Sequence, residues 1–383
     1  PKDEAIAGDP GDKINLTGGG SGSGHALERV EILDAQDVKG QSTSDLQNSG
    51  EIDSPNVASV DSNGDEPGGT VDPASTGERV ISATASTVRG VAIAATNSDD
   101  IETYAAAIGG GTVGVAVAAA VNVINADTSA YISDNATVNG NQSNASGNQT
   151  VSVAAANDFR HVALAAGAGF GAVGVAPGVD VTVLTANTVA AIGDATVNAE
   201  NDVLVSANAS EDILLIGMGI AAGTVGVGGG VSVLTITNTT YASISGDVFA
   251  GGDVAVFASD HTDFLVISGA VGAGFVGVGA SVGVNVIGKD TQAFVADGAN
   301  IDAEGAGTGV AGVFDGTLSG GDAADGFDVA TRSGLIVQAE SSETYYFIVV
   351  AAGAGFVGVS GAVGVTVIDS DTSAWIGDAD INQ

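Results

Sequence analysis

The sequence predicts an all-β fold, a parallel β-solenoid (β-helix) built from five repeats of about 51 residues, and three observations predict it. A Val-x-Val run recurs five times at fixed internal spacing, and apolar residues alternate with period two along it. No segment carries a sustained apolar stripe of helical period. An antiparallel hairpin array is the structural alternative. The fullest copy of the run is Val276-Gly277-Val278-Gly279-Ala280-Ser281-Val282-Gly283-Val284-Asn285-Val286, and its sisters begin at Val113, Val173, Val225 and Val357. Each places Val on one face and almost no side chain on the other.

Taken in order, residues 1–79 differ in kind from the rest. They hold five of the six Pro and are rich in Ser, Gly and Asp, which reads as an acidic arm, a linker or a cap over the end of a solenoid. Pro1 and the absence of a basic-then-apolar leader suggest a processed form or a fragment. The repeats occupy 80–383, with units near 93–134, 153–194, 205–247, 256–297 and 337–378. Each unit opens with a β-branched residue and an Ala two positions on, as in Val153/Ala155 and Val337/Ala339. Twenty residues later comes the first Val of the long run, and fifteen further on comes a Thr. That Thr opens the pattern T-x-A-x-[IV]-x-D, as in Thr128, Ala130, Ile132 and Asp134; the third unit has Gly246 at the acidic position. All length variation falls after it, at 140–149 and at 303–333, so one edge is expected to carry loops while the rest keeps register. A Gly-rich corner such as Gly272-Ala273-Gly274 precedes each long run. The number of coils per unit is left open.

Composition bounds the partners. Nine Lys plus Arg against forty-six Asp plus Glu give a net charge of −37, which repels nucleic acid and anionic lipid and attracts divalent cations. The chain has no Cys, so disulfides and thiolate metal sites are excluded. The longest apolar run, Val162 to Leu184, has the length of a membrane helix, yet it alternates with period two and contains Pro177 and Asp180. It reads as buried strand, and no membrane span is expected.

The succession V-x-A, then G-x-[TF]-V-G-V-x-x-x-V-x-V, then T-x-A-x-[IV]-x-D, with Gly251-Gly252-Asp253-Val254 downstream, resembles the repeats of large secreted filamentous adhesins. Those are the filamentous-haemagglutinin and leukotoxin-like proteins, and the resemblance covers about 80–383. It implies a right-handed β-helix at an extracellular or cell-surface location. Residues 1–79 do not resemble that family's secretion domain.

Candidate sites follow from the repeat. Asp134, Asp194, Asp297 and Asp378 recur at one position and could form an acidic ladder for Ca²⁺, since hard cations relieve stacked carboxylates. The plainer reading is a turn residue that bonds backbone. Asp322, Asp325 and Asp328 lie in a segment that echoes a Gly/Asp calcium nonapeptide, and Asp380 adds a further acid near Asp378. Asn-x-Ser/Thr sequons crowd at Asn135, Asn141, Asn144 and Asn148, with others at Asn15, Asn208 and Asn238; the plainer reading is ordinary loop composition. Tyr131, Phe294 and Trp375 share one register position, either a glycan-binding column or a cross-coil stack. His25, His161 and His261 do not recur, no nucleophile elbow or zinc helix motif occurs, and no enzyme activity or other cofactor is expected.

The expected function is structural: an extracellular protein that self-assembles head-to-tail into a filament or surface fibre. The bare Gly/Ala/Ser face of each run offers a lateral contact to another copy, or a seat for the chain's own neighbouring strand. The alternative is a monomeric adhesin passenger that binds a surface glycan through its inserted loops.

Overall fold

The structure is a computed structural model that describes residues 52–54, 86–318 and 327–382. Two short strands come first, β1 (Ile52–Ser54) and β2 (Ser86–Val88), paired antiparallel. The first coil follows as β3 (Gly90–Gly110), β4 (Val113–Val115), β5 (Ala118–Ile132) and β6 (Thr137–Val138). The second is β7 (Thr150–Phe170), β8 (Val173–Ile192) and β9 (Thr196–Ala199). The third is β10 (Val203–Ala222), β11 (Val225–Ile244) and β12 (Asp247–Ala250), and the fourth is β13 (Val254–Ala273), β14 (Val276–Val295) and β15 (Asn300–Ala303). A hairpin, β16 (Val310–Leu318) and β17 (Phe327–Arg332), precedes the fifth coil of β18 (Leu335–Ala354), β19 (Val357–Ile376) and β20 (Asp380–Ile381).

Equivalent strands of successive coils pair in parallel, giving three sheets: β3-β7-β10-β13-β18, β4/β5-β8-β11-β14-β19 and β6-β9-β12-β15-β20. The parallel solenoid is therefore the fold, and the antiparallel array is not. One repeat makes one wide coil with two long sides and one short one. Register is unbroken: Val225 pairs with Val173 on one side and Val276 on the other, and Val276 with Val357. The run Val162 to Leu184 bends at Gly171-Ala172 into β7 and β8, as its alternation predicted.

The three sheets meet around a core built from the two recurrent motifs. Val203, Val205 and Ala207 of V-x-A face Ala242 and Ile244 of T-x-A-x-I, with Val248 of the short sheet closing the third side. Farther along, Leu184, Ile213, Leu215, Leu234, Phe264 and Ile287 fill the space between the two long sheets. Beyond them the coil narrows to a tip lined by Ala116, Ala176 and Ala221.

The tip decides which way the Val-x-Val run faces. Gly226, Gly228 and Gly230 point inward, while Val225, Val227, Val231 and Val233 point out. A Cβ on Gly219 would overlap the carbonyl oxygens of Ala176 and Gly229, so the two sheets approach at backbone contact and only Gly fits there. The bare face is thus filled by the chain's own opposite sheet. Lateral packing of another copy through that face, one of the two contacts expected from sequence, is ruled out because the space is taken.

Both insertions lie between the short sheet and the next long strand, at one corner of the coil. The first is the loop 139–149. The second contains the β16–β17 hairpin, whose Val313 packs with Ala255 and Ile336 on the outer face of the first long sheet. Phe314 N–H donates to Gln338 Oε1 at 2.8 Å and fixes the hairpin there.

Candidate functional site

The repeated Asp marks the corner after the second long strand. Asp134 Oδ1 accepts the backbone N–H of Asp194 at 2.9 Å, and Asp297 Oδ1 accepts that of Asp378 at 2.8 Å. Each carboxylate therefore caps a turn in the following coil, the backbone-bonding role, across coils instead of within one. Gly246 interrupts the column between Asp194 and Asp297. Asp328 on β17 accepts Thr317 Oγ1 at 3.0 Å, and Asp380 lies exposed on β20. Asp322 and Asp325 fall outside the described residues. Among the described residues, no group of three or more His, Cys, Asp or Glu is placed to hold a metal ion.

A second acidic column went unassigned in the sequence. Asp202 Oδ1 accepts the N–H of Asp253 at 2.9 Å, and Asp253 Oδ1 accepts that of Gly334 at 2.7 Å. It guards the opposite corner, and its signal was the Asp of Gly-Gly-Asp-Val.

Asn141, Asn144 and Asn148 are exposed on the inserted loop, and Asn135 is exposed at the other corner, between β5 and β6. Asn135 sits at a φ of 61°, and Asn141 Oδ1 accepts Ser143 N–H at 3.0 Å, so two of the four already serve turns. Asn238 is different: it points into the core and is 2 % exposed, so it is not a glycan acceptor. Asn15 lies outside the described residues.

The aromatic column is outward and stacked. Phe294 and Trp375 lie with centroids 4.6 Å apart and planes at 1°. Tyr131 stands at the same register position three coils before Phe294, with Ala191 and Ser243 between them. A shallow cleft of about 220 Å³ opens on the short sheet, lined by Gln142 of the inserted loop and by Asn198, Glu200, Phe249, Asp302 and Glu304.

The densest ionisable cluster is one the sequence reading missed. Lys289, on the inner face of β14, pairs with Asp260 at 2.6 Å and Glu343 at 3.3 Å. Its ammonium also donates to the Asp260 and Ser342 carbonyls, each at 3.2 Å. Thr262 Oγ1 donates to Glu211 Oε2 at 2.8 Å, and Thr240 Oγ1 to Asp260 Oδ2 at 2.9 Å. Lys289 and Asp260 are fully enclosed. Burial and the neighbouring Asp260 push the Glu211 carboxyl well above the usual carboxylate range. Burial lowers the Lys289 pKa, but Asp260 and Glu211 outweigh it and the ammonium stays charged. The cluster is a sealed neutralising core and not an open site. Its signal in sequence was that Lys289 is the only Lys or Arg between Arg160 and Arg332.

A smaller feature lies nearer the tip. Asp180 points inward and is 0 % exposed, and burial pushes its carboxyl up to about 7. His161 is also enclosed, with Nδ1 against the Ile101 carbonyl at 3.0 Å and Nε2 against Thr182 Oγ1 at 3.1 Å. None of these groups lines the cleft. Among the described residues no helix is long and apolar enough to cross a membrane. Comparison with protein-family models, with curated proteins and with solved structures returns no match.

Proposed function

We propose that the protein is a structural element of an extracellular filament or surface fibre, lengthened by adding coils in the register its own coils use. The observation that supports this is the uninterrupted ladder. The three sheets run through all five coils without a register shift, and among the described residues β3, β4 and β5 at one end and β18, β19 and β20 at the other have no further parallel strand beyond them. Such edges are templates for more strand, supplied by the same chain or by another copy. The end surfaces also agree in chemistry. Trp375 would meet Tyr131 of a following copy as it meets Phe294 within the chain.

Sedimentation velocity over a range of concentrations, at about 0.15 M and about 1 M salt, tests this. Growth is expected with concentration and is stronger at high salt, which screens repulsion between strongly acidic copies. A single species of unchanged size under both conditions contradicts it.

One observation favours a second reading, the adhesin. The cleft brings Gln142 of the inserted loop beside exposed Phe249 and the acids Asp302 and Glu304, a mixed aromatic and polar lining suited to a sugar face. In that case binding to a glycan array survives in the monomer and is lost in Phe249→Ala. Retained binding in that variant removes the reading.

A further inference from the structure

The outer face of the second long sheet is a valine grid. Six outward positions on each of five rungs, from Val225 to Thr235 on β11 and their register partners, make thirty sites, of which twenty-four are Val. None is charged. The exceptions are five small or cyclic residues, including Gly229 and Gly361 in one central column, and Thr235. The inward columns of the same strands are less uniform: one runs Ala120, Asp180, Ser232, Gly283, Gly364. Side chains facing water usually vary more than those facing a core. Here the order is reversed.

β-Propensity alone does not explain the grid. Thr is as β-branched as Val and suits a wet strand face, yet it fills one of the thirty sites. The exposure is substantial where neighbouring coils cover least: Val121 is 66 % and Val363 55 % exposed. Large uncharged patches of this kind mark contact surfaces.

We propose that this valine face is a dry interface with the same face of a second copy, the two sheets packing face to face. Size supports that occupant. Five strands about 4.8 Å apart and eleven residues at about 3.3 Å give a grid about 24 Å by 36 Å, or about 860 Å² per copy, against about 800 Å² per partner in a standard stable interface. Relief supports it as well. Three columns are wholly Val and two more have one exception each, flanking a central furrow of Val117, Pro177, Gly229, Ala280 and Gly361, a relief of ridges and one furrow able to interdigitate with its own copy, as in dry sheet-to-sheet zippers. The outer face of the first long sheet mixes residue types in its columns, as in Ala106, Ala166, Met218, Gly269, Val350 and in Ile108, Ala168, Ile220, Val271, Ala352.

Charge placement agrees. Outward charges of this sheet, such as Asp127, Asp290 and Asp369, lie toward the far end of the strands, away from the Gly-rich corner. Two copies overlapping by their tip halves, with strands antiparallel, keep their acidic ends apart. A lipid bilayer is the competing occupant, since the exposed Phe275 and Phe356 at the corners are also apolar. It is disfavoured by the end coils, whose outer strands have no further parallel partner among the described residues, since unpaired backbone groups cost several kcal/mol each in hydrocarbon. The pairing does not depend on head-to-tail growth.

The test uses the full chain and three variants: Val231→Lys/Val282→Lys on the grid, Ile220→Lys on the other sheet's outer face, and Gly229→Cys. Light scattering at low concentration is expected to give twice the chain mass for the wild type and for Ile220→Lys. The double variant should associate at least about 100-fold more weakly, because two desolvated ammonium groups per copy have no partner there. Circular dichroism establishes that each variant keeps its strand content. The chain has no native Cys, so Gly229→Cys should be bridged to its copy by a short bis-maleimide. That readout does not need the lysine variant to fold. Head-to-tail growth, if present, appears as length in micrographs, while pairing appears as two rods in cross-section. A wild type that stays monomeric, a double variant that still pairs, loss of pairing in Ile220→Lys alone, or absent cross-linking of Gly229→Cys overturns the proposal. So does flotation of the wild type, but not the double variant, with neutral phosphatidylcholine vesicles.

Discussion

Lys289 and Asp180 are single residues on which the interior depends in opposite ways. Removing Lys289 leaves Asp260 enclosed without its countercharge, and breaking a buried pair from one side costs about 3–5 kcal/mol. Lys289→Met is therefore expected to lose that much in chemical denaturation, and adding Asp260→Asn should recover most of it. Asp180 has no countercharge among the described residues, and burial holds its carboxyl protonated below about pH 7. Between its unfolded value of 3.8 and its folded value of about 7, the native state keeps a proton that the unfolded chain has released. Stability from this group is accordingly present below about pH 4 and is lost as pH rises to about 7, on the order of 4 kcal/mol in all. Glu211 shifts in the same direction. Asp180→Ser, which copies Ser232 of the next coil and its bond to the Ile267 carbonyl, should flatten the part of the pH–stability curve that Asp180 supplies. An unchanged slope in that variant shows that the carboxyl is not held neutral. These residues were hard to read in sequence because a solenoid repeat draws attention to what recurs. Lys289 and Asp180 each occur once in their columns.

At the scale of the strand, period-two alternation and fixed spacing were enough to predict the long strands, their parallel stacking and the corner at which both insertions leave the coil. They did not tell inside from outside. A Val/Gly strand reads as valine inward by habit, yet the inward face is the one that meets Gly219 and its neighbours at backbone contact. That orientation depends on the opposite strand, which begins at Val203 for the strand that begins at Val225 and is matched only after folding. The consequence is testable. Gly219→Val should destabilise by about 3 kcal/mol or prevent folding, since the opposing carbonyls cannot retreat. Met218→Thr, one position away and facing out, should cost less than about 1 kcal/mol in the same thermal scan. The Asp corners were legible as turn residues, though not the bond to the following coil, which requires knowing that one repeat is one coil.

For the whole molecule, the solenoid separates its chemistry along the strands. On the second long sheet the outward acidic groups gather toward the base, where the three sheets meet, and the tip half of that sheet's outer face is uncharged. Together with open parallel edges, this favours growth along the coil axis and pairing across the valine face, with charge kept at the rim. Electron cryomicroscopy of the purified chain at high salt tests the central claim, that coils add from copy to copy in unbroken register. Rods longer than five coils are expected, with a strand spacing of about 4.8 Å that runs through each junction without a gap. Separate five-coil particles at every concentration, or junctions at which the strand ladder breaks, contradict it.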